Sequence, residues 1–415
     1  MRTLIKNIGT LVTPLGKKAL KGQHQGSVRV LHNAWVLCED GIISDIGEGT
    51  CTVSADEVID ARGRLVTPGL VDAHTHLIFG GWRNNEMEQK LKGVPYLEIL
   101  AAGGGIHSTV TATRNASSEE LVEKAKKALD EMLNYGTTTC EAKSGYGLDR
   151  DNELKQLEVI RELNKIHPMD LVATYLGAHA LPKEYKDRRE EYIDMMCETI
   201  IPEVAERGLA DFCDVFCEEG VFTAEESRKI LLTGQKYGLK SKVHADEIYP
   251  IGGSTVAGEI GAVSAEHLIV CNDEGIQALS AGNTIACLLP ATSHYLNAGY
   301  APARKMIDNN VAIALATDYN PGTCPCLNLQ LVMTLGCLKY RMTPEEVLTA
   351  VTLNAAAAVG KADSIGTVEI GKQADMVIWD ASELSYIFYR MGSNLADTVI
   401  KKGKTVGGTH YEKAD

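Results

Sequence analysis

Residues 65–77 read LVTPGLVDAHTHL. An apolar, β-branched run of this kind suits a strand covered on both faces, and this one delivers His74 and His76 at its end. Side chains at i and i+2 of a strand share a face, so both imidazoles can reach one ion. Seven more runs downstream have the same character: TTTCEAKSGYG (137–147), LVATYLGAHAL (171–181), DFCDVFCEEG (211–220), KSKVHADE (240–247), AVSAEHLIV (262–270), NTIACLLP (283–290) and VAIALATD (311–318). Amphipathic stretches separate them. Ser117-x-x-Glu120, Thr223-x-x-Glu226 and Thr343-Pro344-x-Glu346 are helix-opening capping boxes, with stops expected near Gly136, Gly238 and Gly360. Eight strands alternating with helices predict an α/β protein, a (β/α)8 TIM barrel over residues 66–364. A doubly wound sheet would carry a glycine-rich phosphate turn after its first strand, and none is present.

Outward from the barrel the pattern changes. TLIKNIGTLV, SVRVLHNAWVLC, GIISDIG and DEVIDARGRLV precede it, and SIGTVEIGKQADMVIWD and LADTVIKKGKTV follow it. These short β-like runs, separated by glycine and polar turns, predict hairpins. Residues 1–65 and 365–415 are expected to form one small composite β-sandwich beside the barrel.

A barrel presents its active site at the C-terminal ends of its strands. His74 and His76 end the first strand, His179 the third, His244 the fifth, His267 the sixth and Asp318 the eighth. Five strand ends thus deliver imidazoles and a carboxylate into one mouth. This donor set suits zinc or iron, with a position left open for water in a catalytic site. His24, His32, His167 and His410 read as solvated or structural, and His107 and His294 as loop residues without an assigned role. Gly103-Gly104-Gly105 reads as a mobile lid or as a plain connector; no Gly-Lys-Ser/Thr follows, so it is not a phosphate loop.

The 415 residues carry 41 basic and 55 acidic side chains, a net charge of −14. A nucleic-acid binder would show the opposite balance. No run of about 18 apolar residues is present to span a membrane. The opening MRTLIKNIGTLVTPLG alternates like a strand and lacks an apolar signal core. The 11 cysteines form no CxxC pair and read as reduced, mostly buried thiols, which places the chain in the cytoplasm.

TPGLVDAHTHLIFGG, the later HADE, ATDYNPGT and the closing GTVEIGKQADMVIWD together resemble the amidohydrolase superfamily. Within it, HTHLIFGGWRNNEMEQKLKGVPYLEILAAGGGI, KSGYGLD, YLGAHALP, FCEEGVF, HADE and TDYNPGT resemble the imidazolonepropionase family across the whole barrel and in order. The resemblance implies one mononuclear metal ion, divalent or trivalent, zinc or iron, on His74, His76, His244 and Asp318. It implies substrate contacts from Arg83, Tyr146, His179, Glu247, Asn320, Gly322 and Thr323, and catalytic roles for Glu247, His267 and Asp318. Binuclear relatives carry a lysine on the fourth strand, and DFCDVFCEEG has none. The implied reaction is hydrolysis of 4-imidazolone-5-propanoate, a small molecule of histidine degradation, to N-formimino-L-glutamate by a metal-activated water. In this reading Arg83 supplies a planar fork for the propanoate, Tyr146 a hydroxyl, and His179 a donor to the ring carbonyl or the carboxylate. The family implies a homodimer. Cys324-Pro325-Cys326 stands where the family tends to have small hydroxyl residues, and puts a thiol near the site. A metal-dependent deaminase or another cyclic amidase would share the metal ligands without needing Arg83, Tyr146 and NPGT. A non-catalytic scaffold would have lost metal ligands, and all four ligand positions are present here.

Overall fold

The computed structural model describes residues 1–94 and 104–409. Gly103 and His410 lie outside the described residues. The sixteen strands among the described residues are β1 (Arg2–Pro14), β2 (Val28–Glu39), β3 (Ile42–Glu48), β4 (Glu57–Asp60), β5 (Leu65–Pro68), β6 (Leu70–Asp72), β7 (Thr137–Lys143), β8 (Asp170–Ala178), β9 (Phe212–Cys217), β10 (Lys240–Ala245), β11 (Ser264–His267), β12 (Ile285–Leu288), β13 (Ile313–Leu315), β14 (Met376–Trp379), β15 (Ala396–Lys401) and β16 (Lys404–Gly407).

Strands β6 to β13 pair in sequence order, each parallel to the next. The ring closes just beyond the ends of β6 and β13. Asp318 N donates to the His74 carbonyl at 3.0 Å and His76 N to the Tyr319 carbonyl at 2.9 Å. Closure therefore brings the HxH segment and Asp318 side by side. Below them Asp72 accepts from Thr317 N at 3.1 Å and Thr317 Oγ1 at 2.6 Å. This is the (β/α)8 barrel expected from the pattern.

The run 65–77 is not one strand. β5 pairs with β14 and β1 of another sheet, and the chain passes into the barrel at Gly69. There Gly69 N donates to the Asp375 carbonyl and Leu70 N to that of Gly136. A Cβ on Gly69 would lie 2.4 Å from Thr138 Oγ1, so the crossing requires glycine.

Both ends of the chain build one continuous sheet in the order β16-β15-β14-β5-β1-β2-β3, with β4 pairing along β1. It stands where the terminal β-sandwich was expected and encloses its own core of Ile5, Ile8, Leu11, Val36, Val66, Met376, Ile378 and Ile400. Asp170, at the start of β8, ties this sheet to the barrel through Lys401 and Lys402, each at 2.8 Å.

All three capping boxes are formed, at Ser117, Thr223 and Thr343. The third does not open a single helix running to Gly360. The helix breaks after Ala350 and resumes at Leu353. The Val351 carbonyl is taken by Val71 N of β6, at 2.9 Å, so it leaves the helical ladder. His107 and His294 lie on helices, Ile106–Asn115 and Pro290–Tyr295, rather than in loops. Of the 11 cysteines, eight are buried and three half-buried, and all are free thiols. Among the described residues no helix is long and apolar enough to cross a membrane.

Candidate metal centre and substrate pocket

His74 and His76 follow β6, and Thr75 between them bridges to Tyr319 and donates its hydroxyl to the Glu141 carbonyl at 2.6 Å. Both imidazoles therefore face the barrel axis. β10 adds His244, β11 adds His267, and Asp318 follows β13. All five side chains are buried. His267 and Asp318 hold positive φ, 67° and 57°. Non-glycine residues rarely adopt this region, and such strain persists where the surroundings impose it.

His76 Nε2 and His244 Nε2 lie 3.3 Å apart, and Asp318 Oδ1 lies 3.4 Å from His76 Nε2 and 3.5 Å from His74 Nε2. Burial drives His74 and His76 well below the ordinary histidine range, so both are neutral. Asp214 accepts from Nδ1 of His244 at 3.0 Å, so in the neutral ring the Nε2 lone pair faces His76. Among the described residues His74 Nε2 and Asp318 Oδ1 have no hydrogen-bond partner. Lone pairs facing one another at this range are unfavourable unless a cation lies among them. Four ligands at ~2.1 Å from a tetrahedral ion stand ~3.4 Å apart, and the three measured edges match that spacing. The residues fit a metal ion.

The other Asp318 oxygen, Oδ2, accepts from Thr292 Oγ1 at 2.6 Å. Glu247 Oε2 lies 3.7 Å from His267 Nε2. Burial pushes the Glu247 carboxyl up to about 7, and burial lowers His267 to about 4. The loop after His244 is held by Glu218, which accepts from Ile248 N at 2.9 Å and Tyr249 N at 3.0 Å.

Beside the cluster, the His76 ring stacks on His179 at 4.8 Å between centroids, and Tyr146 lies 5.3 Å from His179. The loop carrying Tyr146 is splinted from the helix Arg150–Ile166. Glu153 accepts from the backbone N–H of Gly145, Gly147 and Leu148, and Gln156 from that of Tyr146. His179 differs from its expected role. Its Nδ1 lies 2.9 Å from the Gly145 carbonyl, which can only accept, so Nδ1 carries the proton. Burial lowers His179 to about 3, so the ring is neutral and Nε2 is an acceptor rather than a donor.

Asn320 shapes the NPGT turn by accepting from Gly322 N at 2.8 Å and Thr323 N at 2.7 Å. The resulting backbone lies against Arg83: a Cβ on Gly322 would sit 2.0 Å from Nη1. Arg83 Nε pairs with Glu86 at 3.1 Å. Its Nη2 is buried and meets no acceptor among the described residues. Cys324 is buried with Sγ on the Thr317 carbonyl at 3.2 Å, and burial drives its thiol well up, so it is an inert neighbour. Cys326 is half-buried.

Sequence reasoning missed the residues behind these groups: Asp214, Lys143, Thr292, Glu153, Gln156 and Glu218. A signal existed for the first two. A charge in the middle of an apolar strand run, as in TTTCEAK and DFCDVFC, marks a buried polar interior.

The Amidohydrolase family model matches residues 65–406. The imidazolonepropionase of Alkaliphilus metalliredigens is 52% identical over 410 residues, covering 97% of each chain. That of Bacillus cereus strain AH187 is 52% identical over 405 residues, 97% of this chain and 96% of its own. Among solved structures, a 5-methylcytosine deaminase from Klebsiella pneumoniae liganded with 5-fluorocytosine superposes with a TM-score of 0.72 at 18% identity, over 98% of this chain and 99% of the other. An adenosine deaminase from Xanthomonas campestris with bound zinc gives 0.70 at 18% identity, over 97% and 92%. These two share the fold. With the profile spanning barrel and flanking sheet, and half of all positions identical end to end in the curated relatives, the chain belongs to the amidohydrolase family, in its imidazolonepropionase branch.

Proposed function

We propose that the chain hydrolyses the ring amide of 4-imidazolone-5-propanoate to N-formimino-L-glutamate with one metal ion, zinc or iron, held by His74, His76, His244 and Asp318. The observation that carries this reading is the pairing of the ligand cluster with a buried guanidinium edge. Arg83 Nη2 lacks an acceptor among the described residues, and a propanoate carboxylate is the acceptor it suits. The bound ion supplies a water acidified toward ~7 and polarises the scissile carbonyl.

The protein's own groups do the rest. Asp318 has one oxygen among the ligands and the other on Thr292, so Glu247 is the carboxyl left to carry a proton. Glu247 takes the water's proton as the new C–O bond forms, and returns it to the ring nitrogen as the C–N bond breaks. General acid–base work of this kind contributes ~10²–10⁴-fold. His267 donates to the developing oxyanion. His179 accepts a ring N–H through Nε2, and Tyr146 adds a hydroxyl to the carboxylate site. Asn320, Gly322 and Thr323 form the wall that sets the Arg83 guanidinium. We read the enzyme as a cytoplasmic homodimer, which sedimentation equilibrium tests for its subunit number.

The test is the absorbance decay of 4-imidazolone-5-propanoate with metal-loaded and chelator-stripped protein. Decay with the loaded protein alone supports the reading. Absence of decay with both, alongside turnover of an aminopyrimidine or another cyclic amide, replaces the substrate assignment and leaves the metal centre standing.

A further inference from the structure

Beneath the ligand cluster the barrel interior is charged. Glu141 and Lys143 on β7, Asp214 on β9, Lys242 on β10 and Glu266 on β11 are all closed off from solvent. Lys143 Nζ lies 2.7 Å from Glu141 Oε1 and 2.8 Å from Asp214 Oδ2. Asp214 Oδ2 lies 3.0 Å from His244 Nδ1. Thr174 donates its hydroxyl to Glu141, and Lys242 donates to the carbonyl of Ala73, the residue before His74. Taking these charges out of water is costly, and well-packed apolar residues of similar volume would fill the same space without that cost. The network therefore asks for a task other than stability.

Its direction supplies one. Glu141, Lys143, Asp214 and His244 form a single chain of contacts that ends at Nδ1 of His244, the ring nitrogen opposite the one facing the other ligands. An imidazole binds a metal through its unprotonated nitrogen, and the partner on the other nitrogen decides which one that is. Asp214 can perform this only while its carboxylate is aimed at Nδ1. Its Oδ1 accepts from Val215 N at 2.8 Å, and Lys143 grips Oδ2.

We infer that Lys143 is a positioning residue of the metal centre: its ammonium, braced by Glu141, holds the Asp214 carboxylate against His244 Nδ1 and so keeps His244 Nε2 turned to the other ligands. This rests on the proposed ligand set. It assigns Lys143 no contact with substrate.

The experiment titrates chelator-stripped protein with cobalt(II) and reads affinity from the visible bands of the bound ion. It uses the parent, Lys143→Met, Asp214→Asn and the double variant. Each single change is expected to weaken cobalt binding by ~10–100-fold, the range for partners of ligating histidines. The double variant should bind no worse than the weaker single, because both act through one chain of contacts. A cobalt affinity for Lys143→Met within about threefold of the parent overturns the inference, as does full additivity in the double variant. A lysine that merely supports the fold would lower the thermal midpoint and leave the cobalt constant unmoved, which also overturns it. Lys143→Met removes the ammonium that two buried carboxylates share and is prone to misfold. Glu141→Gln/Lys143→Met removes one charge of each sign and is read the same way: weakened binding supports the inference and parent-like binding overturns it. A parent that takes up no cobalt overturns the ligand assignment itself, a result distinct from all of these.

Discussion

Gly322→Ala separates substrate binding from the metal centre. A Cβ at this position would lie 2.0 Å from Arg83 Nη1 and 2.5 Å from its Cζ. The Gly322 backbone is outside the left-handed region, so alanine carries no backbone penalty there and slightly restricts the unfolded chain. The guanidinium, at the end of a flexible side chain, is the part that gives way. Restoring an ordinary contact of 3.4 Å needs a movement of about 1.4 Å, and a misplacement of ~1 Å costs on the order of 100-fold. From the other direction, each charge-assisted hydrogen bond contributes ~1.5–3 kcal/mol. Losing one such bond to the propanoate weakens binding by ~10–100-fold. Steady-state kinetics should show KM raised by that factor with kcat within about threefold, the pattern of lost ground-state binding. Metal content and thermal midpoint should match the parent. An unchanged KM would show that Arg83 does not hold the substrate. Loss of metal would show that the NPGT turn supports the ligands instead.

Glu247→Gln keeps the shape of the side chain and removes its proton traffic, so kcat should fall by ~10²–10⁴-fold with metal content unchanged in elemental analysis. Arg83→Ala should raise KM, and Gly322→Ala added to it should have no further effect in the same assay, since both act on one guanidinium. Chelation should abolish activity, and zinc(II) or iron(II) added back in separate samples should restore it, the more active sample naming the working metal. For Asp170, burial alone would raise the carboxyl, but Lys401 and Lys402 hold it down to about 2. Its unfolded value is ~3.9, so the stabilisation is present above about pH 4 and is lost as pH falls through about 2. Asp170→Asn should lower the urea midpoint at neutral pH, with the gap from the parent closing between pH 4 and 2.

The barrel and its donor set were legible in the chain because both are written in local pattern. A continuous apolar run reads as a covered strand whatever surrounds it. His74, His179, His244, His267 and Asp318 each terminate such a run, and the barrel rule alone gathers strand ends at one mouth. The capping boxes at Ser117, Thr223 and Thr343 were equally local, since each involves one turn of backbone. What escaped was whatever depends on a distant partner. Gly69 divides the first run because Thr138 stands behind it. The helix after Thr343 breaks because a strand takes the Val351 carbonyl. His179 is an acceptor because Gly145 is within reach of its Nδ1.

By itself, then, the sequence determined that eight covered strands alternate with helices, which side chains end the barrel strands, and the chemistry those residue types can perform. Tertiary structure decided their state. It set the 3.3–3.5 Å spacing among the donor atoms, buried Glu247 until its carboxyl reaches about 7, and pressed Gly322 against Arg83. It also joined Lys143 and Asp214, 71 residues apart in the chain, behind His244. The physical reason is that residue type sets what a group can donate, accept or bind. Its proton, its orientation and its strength depend on the low-dielectric neighbours that only the closed barrel assembles.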